Sequence, residues 1–145
     1  MTTSKVYCPD ASLLVRFLLT GEKGSPIAKL WEGWLQEGAS LIAPDLIFYE
    51  VNNVLHQYVR HDQLTSHEAE TAFQLSFKLN IVTLMDENLH RRALRLADDF
   101  QLPATYDAHY LALAERMSAS FWTLDAKLVN KVTPQLAWVN LWQEP

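Results

Sequence analysis

The sequence has very little cysteine: Cys8 is the single cysteine among its 145 residues. One thiol cannot form an intrachain disulfide or a zinc site built from several thiolates, so both are excluded. Cys8 follows Val6 and Tyr7 in a β-branched and aromatic run, which indicates a buried strand residue and not a reactive thiol.

Long apolar runs and an excess of basic residues are also lacking. No apolar run reaches the roughly 18 residues of a membrane-spanning helix, and residues 1–5 lack the charged and apolar regions of a signal peptide. We therefore expect a cytoplasmic protein without a membrane partner. The 12 Lys and Arg against 17 Asp and Glu give a formal charge of -5, which disfavours broad electrostatic binding of nucleic acid. A few acids gathered at one site would account for most of that excess.

Composition and length predict one globular domain over residues 1–145. Hydrophobic residues make up 49% and charged residues 20% of the chain, which is typical of a compact globule. A chain of this length buries roughly 70% of the surface that it exposes when unfolded. The sequence contains no internal repeat, low-complexity tract or linker that would divide it.

Strand and helix patterns alternate along the whole chain. Strands are predicted near residues 5–9, 41–43, 80–84, 120–124 and 137–141. Helices are predicted near residues 12–19, 26–37, 45–60, 66–79, 87–100, 105–115 and 126–131. This alternation is typical of an α/β fold with a mainly parallel sheet of four to five strands and helices on both faces. Trp31 and Trp34 fall on the apolar face of the second helix, so we expect them in the core.

Asp10 and Asp125 share one local setting: each follows a predicted strand and precedes a predicted helix. Ligands of open α/β sheets bind outside the carboxyl ends of the strands, so an acid there is well placed for chemistry. The alternative is that Asp10 caps the helix that follows, since Asp is favoured at that position. Asp86 also precedes a clean helical pattern, and there we expect capping alone.

Glu50 and Asp107 lie in the first turns of predicted helices, at the same edge of a parallel sheet as Asp10 and Asp125. Two carboxylates about 5 Å apart repel by roughly 3 kcal/mol at an effective dielectric near 20, so a cation is needed to balance them. Carboxylates without His or Cys partners favour Mg²⁺ or Mn²⁺ over zinc or copper. Hydroxyls stand two residues from an acid at Ser12 and Thr123, where they would support a metal-bound water or a phosphate oxygen.

Four segments together resemble the successive motifs of PIN-domain ribonucleases, especially the VapC toxins of toxin–antitoxin pairs. The segments are Cys8–Ser12, Glu50–Leu55, Tyr106–Ala114 and Thr123–Asp125. Each motif alone is weak, but the four stand in the family's order and spacing over almost the whole chain. The chain departs from the commonest pattern at Phe121 and Trp122, where smaller aliphatic residues are usual.

The resemblance implies a metal-dependent endoribonuclease that hydrolyses RNA phosphodiester bonds with Mg²⁺ or Mn²⁺. It implies metal-binding catalytic roles for Asp10, Glu50, Asp107 and Asp125, and supporting polar roles for Ser12 and Thr123. It further implies a homodimer and a small antitoxin protein that blocks the active site.

Basic residues that could meet an RNA backbone are Arg16, Lys127 and Lys131, with plain solvation as the alternative for each. His109 lies two residues from Asp107, but helical geometry turns it away from that acid. The other histidines show no ligand spacing.

Three other functions are alternatives to the nuclease. A receiver-type signalling domain would carry a phosphorylatable Asp after a middle strand and a lysine at a late strand end, where Asp125 stands. A haloacid-dehalogenase-like phosphatase would need a second acid in place of Ser12. The remaining alternative is a PIN-like module that binds RNA or protein with little or no catalysis.

Overall fold

The computed structural model describes residues 4–145. The first three residues, which the domain prediction includes, lie outside the described residues. The strands within this range are β1 (Val6–Pro9), β2 (Ser40–Ala43), β3 (Ile81–Thr83), β4 (Ser120–Thr123) and β5 (Val139–Leu141). The helices are α1 (Ala11–Thr20), α2 (Pro26–Gln36), α3 (Leu46–Arg60), α4 (Ser66–Ser76), α5 (Glu87–Asp99), α6 (Tyr106–Met117) and α7 (Ala126–Val132).

The five strands form one parallel sheet in the order β3-β2-β1-β4-β5. The parallel sheet predicted from the alternation is therefore confirmed. From β1 the chain adds β2 and β3 on one side, whereas β4 and β5 lie on the other side. The order thus reverses between β1 and β4, and such a point opens a crevice at the carboxyl ends of the strands. Asp10 directly follows β1 there, and Asp125 lies two residues beyond β4.

Several helices begin at capping residues that can be recognised in the sequence. The Ser25 side chain accepts a hydrogen bond from the N–H of Ala28, with proline at the first helical position of α2. Thr65 and Glu68 form a reciprocal capping box at the start of α4. The predicted end of α4 near Leu79 was wrong by about three residues. Tight turns at residues 77–78 close the helix, and Asn80 adopts φ 56°, so the chain turns away before β3.

Helices cover both faces of the sheet, as predicted. Right-handed crossovers place α1 to α4 on one face and α5 to α7 on the other. The packing agrees, because α1 contacts α2, α3 and α4, while α5 packs mainly on α6. Trp31 and Trp34 are buried in the core, where Trp31 stacks on Phe17 and Trp34 stacks on Tyr7. Cys8 is fully buried as well.

None of the helices in residues 4–145 is long and apolar enough to cross a membrane.

Candidate active site

Asp10 is the most deeply buried acid of the site, with only 6% of its surface exposed. Its Oδ1 accepts hydrogen bonds from the Leu13 N–H at 3.0 Å and from Ser12 Oγ at 2.6 Å. Its Oδ2 accepts a hydrogen bond from Thr123 Oγ1 at 2.5 Å. Asp10 therefore does cap α1, but with one oxygen only, while β4 holds the other. The two interpretations of this residue are compatible.

The hydroxyls of Ser12 and Thr123 join the ends of β1 and β4. Thr123 Oγ1 donates to Asp10 and accepts from the N–H of Asp125 at 3.0 Å. Ser12 Oγ donates to Asp10 and accepts from the N–H of Leu124 at 3.3 Å. Each hydroxyl thus fixes the carboxylate of Asp10 relative to the loop after β4.

Glu50, Asp107 and Asp125 line one cavity of about 320 Å³. Glu50 comes from the second turn of α3 and Asp107 from the first turn of α6. Asp125 caps α7, where its Oδ1 accepts from the N–H groups of Lys127 at 3.0 Å and Leu128 at 3.2 Å. The cavity is completed by Leu102, Pro103, Ala104, Tyr106, Lys127, Leu128 and Lys131.

The pKa values of three predicted acids are raised in part by the charge of another acid of the set, so the four lie near one another. Burial raises the pKa of Asp10 to about 6 despite its hydrogen bonds, and the charge of Asp107 adds to the rise. Burial also raises the pKa of Glu50, with further contributions from Asp107 and Asp10. The pKa of Asp107 is raised by burial and then by the charge of Asp125. The structure therefore brings together all four acids, and their roles stay predictions.

Asp86 lies apart from this cluster. Its Oδ1 accepts from the N–H of Leu89 at 2.9 Å at the start of α5. Both of its oxygens also accept from the Arg116 guanidinium, at 2.6 and 3.1 Å. The capping role predicted for Asp86 is confirmed.

The basic residues and the histidine singled out in the sequence lie in different surroundings, and only some of them line the acidic cavity. Arg16 forms an ion pair with Glu144 at 3.0 Å and does not line the acidic cavity. Lys127 and Lys131 do line it. His109 contacts the carbonyl oxygen of Thr105 through Nδ1 and the ring of His90 through Nε2.

A model of the PIN domain matches residues 7–132 of the sequence. The chain belongs to the PIN domain family. The match runs from β1 to the end of α7 and includes all four acids of the cluster. No curated protein matches this PIN domain significantly.

Solved structures of low sequence identity share the fold of this PIN domain. VapBC2 from Rickettsia felis, bound to a DNA fragment from its promoter, aligns with TM-score 0.72 and 11% identity over 95% of this chain and 99% of that chain. A toxin–antitoxin complex from Klebsiella pneumoniae gives TM-score 0.63 and 17% identity, covering 96% and 99%. PAE2754 from Pyrobaculum aerophilum gives TM-score 0.65 and 23% identity, covering 88% and 84%.

The donor set of this PIN domain suits a hard divalent cation. The acidic residues at the cavity offer carboxylate oxygens, with no histidine or cysteine beside them. Among residues 4–145, however, no three His, Cys, Asp or Glu side chains already stand close enough together to hold a metal ion. Mg²⁺ is usually bound through one or two carboxylates, with water and substrate phosphate supplying the other ligands. The residues therefore fit Mg²⁺ or Mn²⁺ better than a metal that needs a complete protein cage.

Sequence reasoning missed Tyr110 as a residue of this site. Its hydroxyl donates to Glu50 Oε1 at 2.7 Å, and its ring is fully buried beside Phe121. A signal did exist, because Tyr110 lies three residues after Asp107 and shares a face of α6 with it. Its polar end could not be matched to Glu50 without the fold.

Proposed function

We propose that this PIN domain is an endoribonuclease that hydrolyses RNA phosphodiester bonds with Mg²⁺ or Mn²⁺. The observation that carries the proposal is the cavity at the sheet's carboxyl edge, where Glu50, Asp107 and Asp125 meet. Asp10 lies near enough for its charge to raise the pKa of Glu50 and for that of Asp107 to raise its own. Asp10, Glu50, Asp107 and Asp125 would hold the cation. When bound, a divalent cation would stabilise charge on the attacked phosphate and lower the pKa of a water molecule.

The residues of the chain have distinct parts in this proposal. Ser12 and Thr123 hold the carboxylate of Asp10 in one orientation at the ends of β1 and β4. A cation in the cavity would offset the mutual repulsion of the carboxylates, which favours its binding. Lys127 and Lys131 give the rim two positive charges where the RNA backbone would enter.

We further propose that the protein is the toxin of a type II toxin–antitoxin pair. One solved structure that shares its fold is a toxin–antitoxin complex by its description, and another is VapBC2 bound to a DNA fragment from its promoter. The partners would be a small antitoxin and a second copy of this chain, and the site of action would be the cytoplasm, where RNA is available.

The test is cleavage of single-stranded and structured RNA by the purified protein, freed of any antitoxin, in Mg²⁺, in Mn²⁺ and in excess chelator. We expect cleavage with either metal and none with chelator. Asp10→Asn should lower the rate by more than the roughly 10- to 100-fold that loss of a group behind a metal ligand costs. Asp86→Asn is the matched control, since Asp86 also caps a helix after a strand but lies outside the cluster, and it should cleave normally.

A module that binds RNA without cutting it is the second candidate. The observation that favours it is the lack, among the described residues, of three side chains already placed to hold a metal. RNA binding by a protein that cleaves in neither metal would support it. Cleavage that persists in excess chelator, or an Asp10→Asn protein as active as the parent, would reject the metal-dependent nuclease.

A further inference from the structure

The rim of the acidic cavity combines an aromatic ring, an apolar shelf and two lysines. Tyr106 is the one aromatic residue that lines the cavity, and 60% of its surface is exposed. It stands next to Asp107 at the first position of α6. Leu102, Pro103 and Ala104 line the same cavity and give it an apolar wall.

An exposed ring in this place has no packing role that accounts for it. Within residues 4–145, Tyr106 belongs to none of the ring pairs that pack the other aromatic side chains. Phe77, which is also exposed, instead stacks on Phe48 at a centroid distance of 4.6 Å. Tyr106 therefore offers exposed surface beside the acids that no other aromatic ring among the described residues occupies.

We propose that Tyr106 stacks on an unpaired nucleobase while Lys127 and Lys131 bind the neighbouring phosphates. This subsite rests on the proposed function, because it assigns part of the substrate of the same cavity. Every base has a π face, so an aromatic ring gives affinity to single-stranded nucleic acid without a strict sequence requirement. Bases within a duplex stack on each other and cannot be reached in this way, so the subsite selects single strands and loops.

The two lysines offset the electrostatic repulsion between the acidic site and the negatively charged RNA backbone. They lie four residues apart in α7, so they share one face of that helix. Both are exposed, and Lys131 Nζ reaches only a 3.4 Å contact with the carbonyl oxygen of Gln101. Three carboxylates and two ammonium groups leave the cavity lining with one net negative charge, which one divalent cation would reverse.

Binding can be measured separately from cleavage. In the Asp10→Asn background with Mg²⁺, the probe is a fluorescently labelled single-stranded RNA of about 12 nucleotides, read by anisotropy. We expect Tyr106→Ala to weaken binding about 5- to 150-fold, the range that base–aromatic stacking covers. Tyr106→Phe keeps the ring and should bind within about twofold of its parent. Tyr49→Ala is the control, because Tyr49 is 76% exposed but lines another cavity.

Three further experiments distinguish the contribution of the Tyr106 ring to binding from that of the two lysine charges. In a series of RNAs that each lack one base, we expect one RNA to bind the Tyr106→Ala protein and its parent equally well. Duplex RNA should bind weakly and show no loss with Tyr106→Ala. Lys127→Ala and Lys131→Ala should weaken binding to all sequences alike, and each should lower the salt dependence by about one ion.

The inference is overturned if Tyr106→Ala binds as well as its parent, or if Tyr106→Phe loses as much as Tyr106→Ala. Equal losses on duplex and single strand would show that the ring does not select unpaired bases and would also overturn it. In the chain with Asp10 intact, Tyr106→Ala should raise KM and leave kcat within about twofold. A parent that cleaves no RNA, with the binding pattern preserved, would reject the nuclease alone and leave the subsite standing.

Discussion

The hydroxyl of Tyr110 donates to Oε1 of Glu50 at 2.7 Å and so connects α6 to α3 at the acidic cavity. Tyr110 is fully buried, while Glu50 is only half-buried. Burial raises the pKa of the Tyr110 hydroxyl far above its ordinary value, so this group remains a donor at every physiological pH. One oxygen of Glu50 is therefore held by Tyr110, and within residues 4–145 the other accepts no hydrogen bond.

We expect Tyr110→Phe to weaken metal binding and so to raise the concentration of Mg²⁺ or Mn²⁺ that cleavage requires. A typical net hydrogen bond would shift the metal concentration at half-maximal rate roughly 2- to 10-fold upwards. The phenyl ring keeps the packing, so the melting temperature should change little. A metal titration that matches the parent would show that Glu50 is oriented without Tyr110, and Mn²⁺ binding measured without RNA provides a second readout.

Thr123→Val should both destabilise the protein and lower cleavage. Valine has nearly the same shape but removes the donor to Asp10 and the acceptor of the Asp125 N–H. Hydrogen bonds to charged groups contribute about 1.5–3 kcal/mol, so a loss of that size is expected in urea unfolding. Thr123→Ser retains the hydroxyl and should recover most of the cleavage rate. If Ser and Val prove equivalent, the role given to this hydroxyl is wrong.

The metal-free protein should lose stability as the pH rises from about 4 to 6. The pKa of Asp10 is about 6 in the folded chain against an ordinary value of 3.8. The folded state therefore holds a proton that the unfolded state has released, and ionisation of Asp10 above this window disfavours folding by roughly 3 kcal/mol. Thermal unfolding in chelator between pH 4 and 8 would measure the trend.

The same pH series has a matched control. Asp10→Asn should flatten much of the decline, because the amide carries no charge at any pH. Mg²⁺ should raise the melting temperature most at neutral pH, where the parent's carboxylates are ionised. A parent whose stability increases through this window would contradict the burial of an ionised Asp10.

Asp86→Asn should lower the melting temperature without changing cleavage. The hydrogen bonds from Arg116 and then from the Leu89 N–H lower the pKa of Asp86 to about 2. Its charge therefore stabilises the fold, and this contribution fades at strongly acid pH. Loss of cleavage in this variant with its melting temperature unchanged would place Asp86 in the catalytic machinery.

Local patterns were enough to predict most of the fold. The apolar strand segments and the Ser25 and Thr65 caps depend on neighbours within a few residues. The edge at which Asp10 and Asp125 meet followed from one general property of parallel sheets. That property holds whatever the order of the strands.

The pairings that the sequence could not predict join residues far apart along the chain. Arg16 was a candidate for RNA contact, but the chain brings it to Glu144, 128 residues later. Tyr110 reaches Glu50 across 60 residues. Side-chain type alone does not select a partner at such separations, because several acids and bases would satisfy the same chemistry.

The strand order also has a consequence for the synthesis of this protein. Asp10 leaves the ribosome well before its partner Thr123, which follows 113 residues later. A nascent chain therefore cannot complete the acidic cluster until Thr123 and Asp125 have been synthesised. The proposed nuclease would stay inactive up to that point.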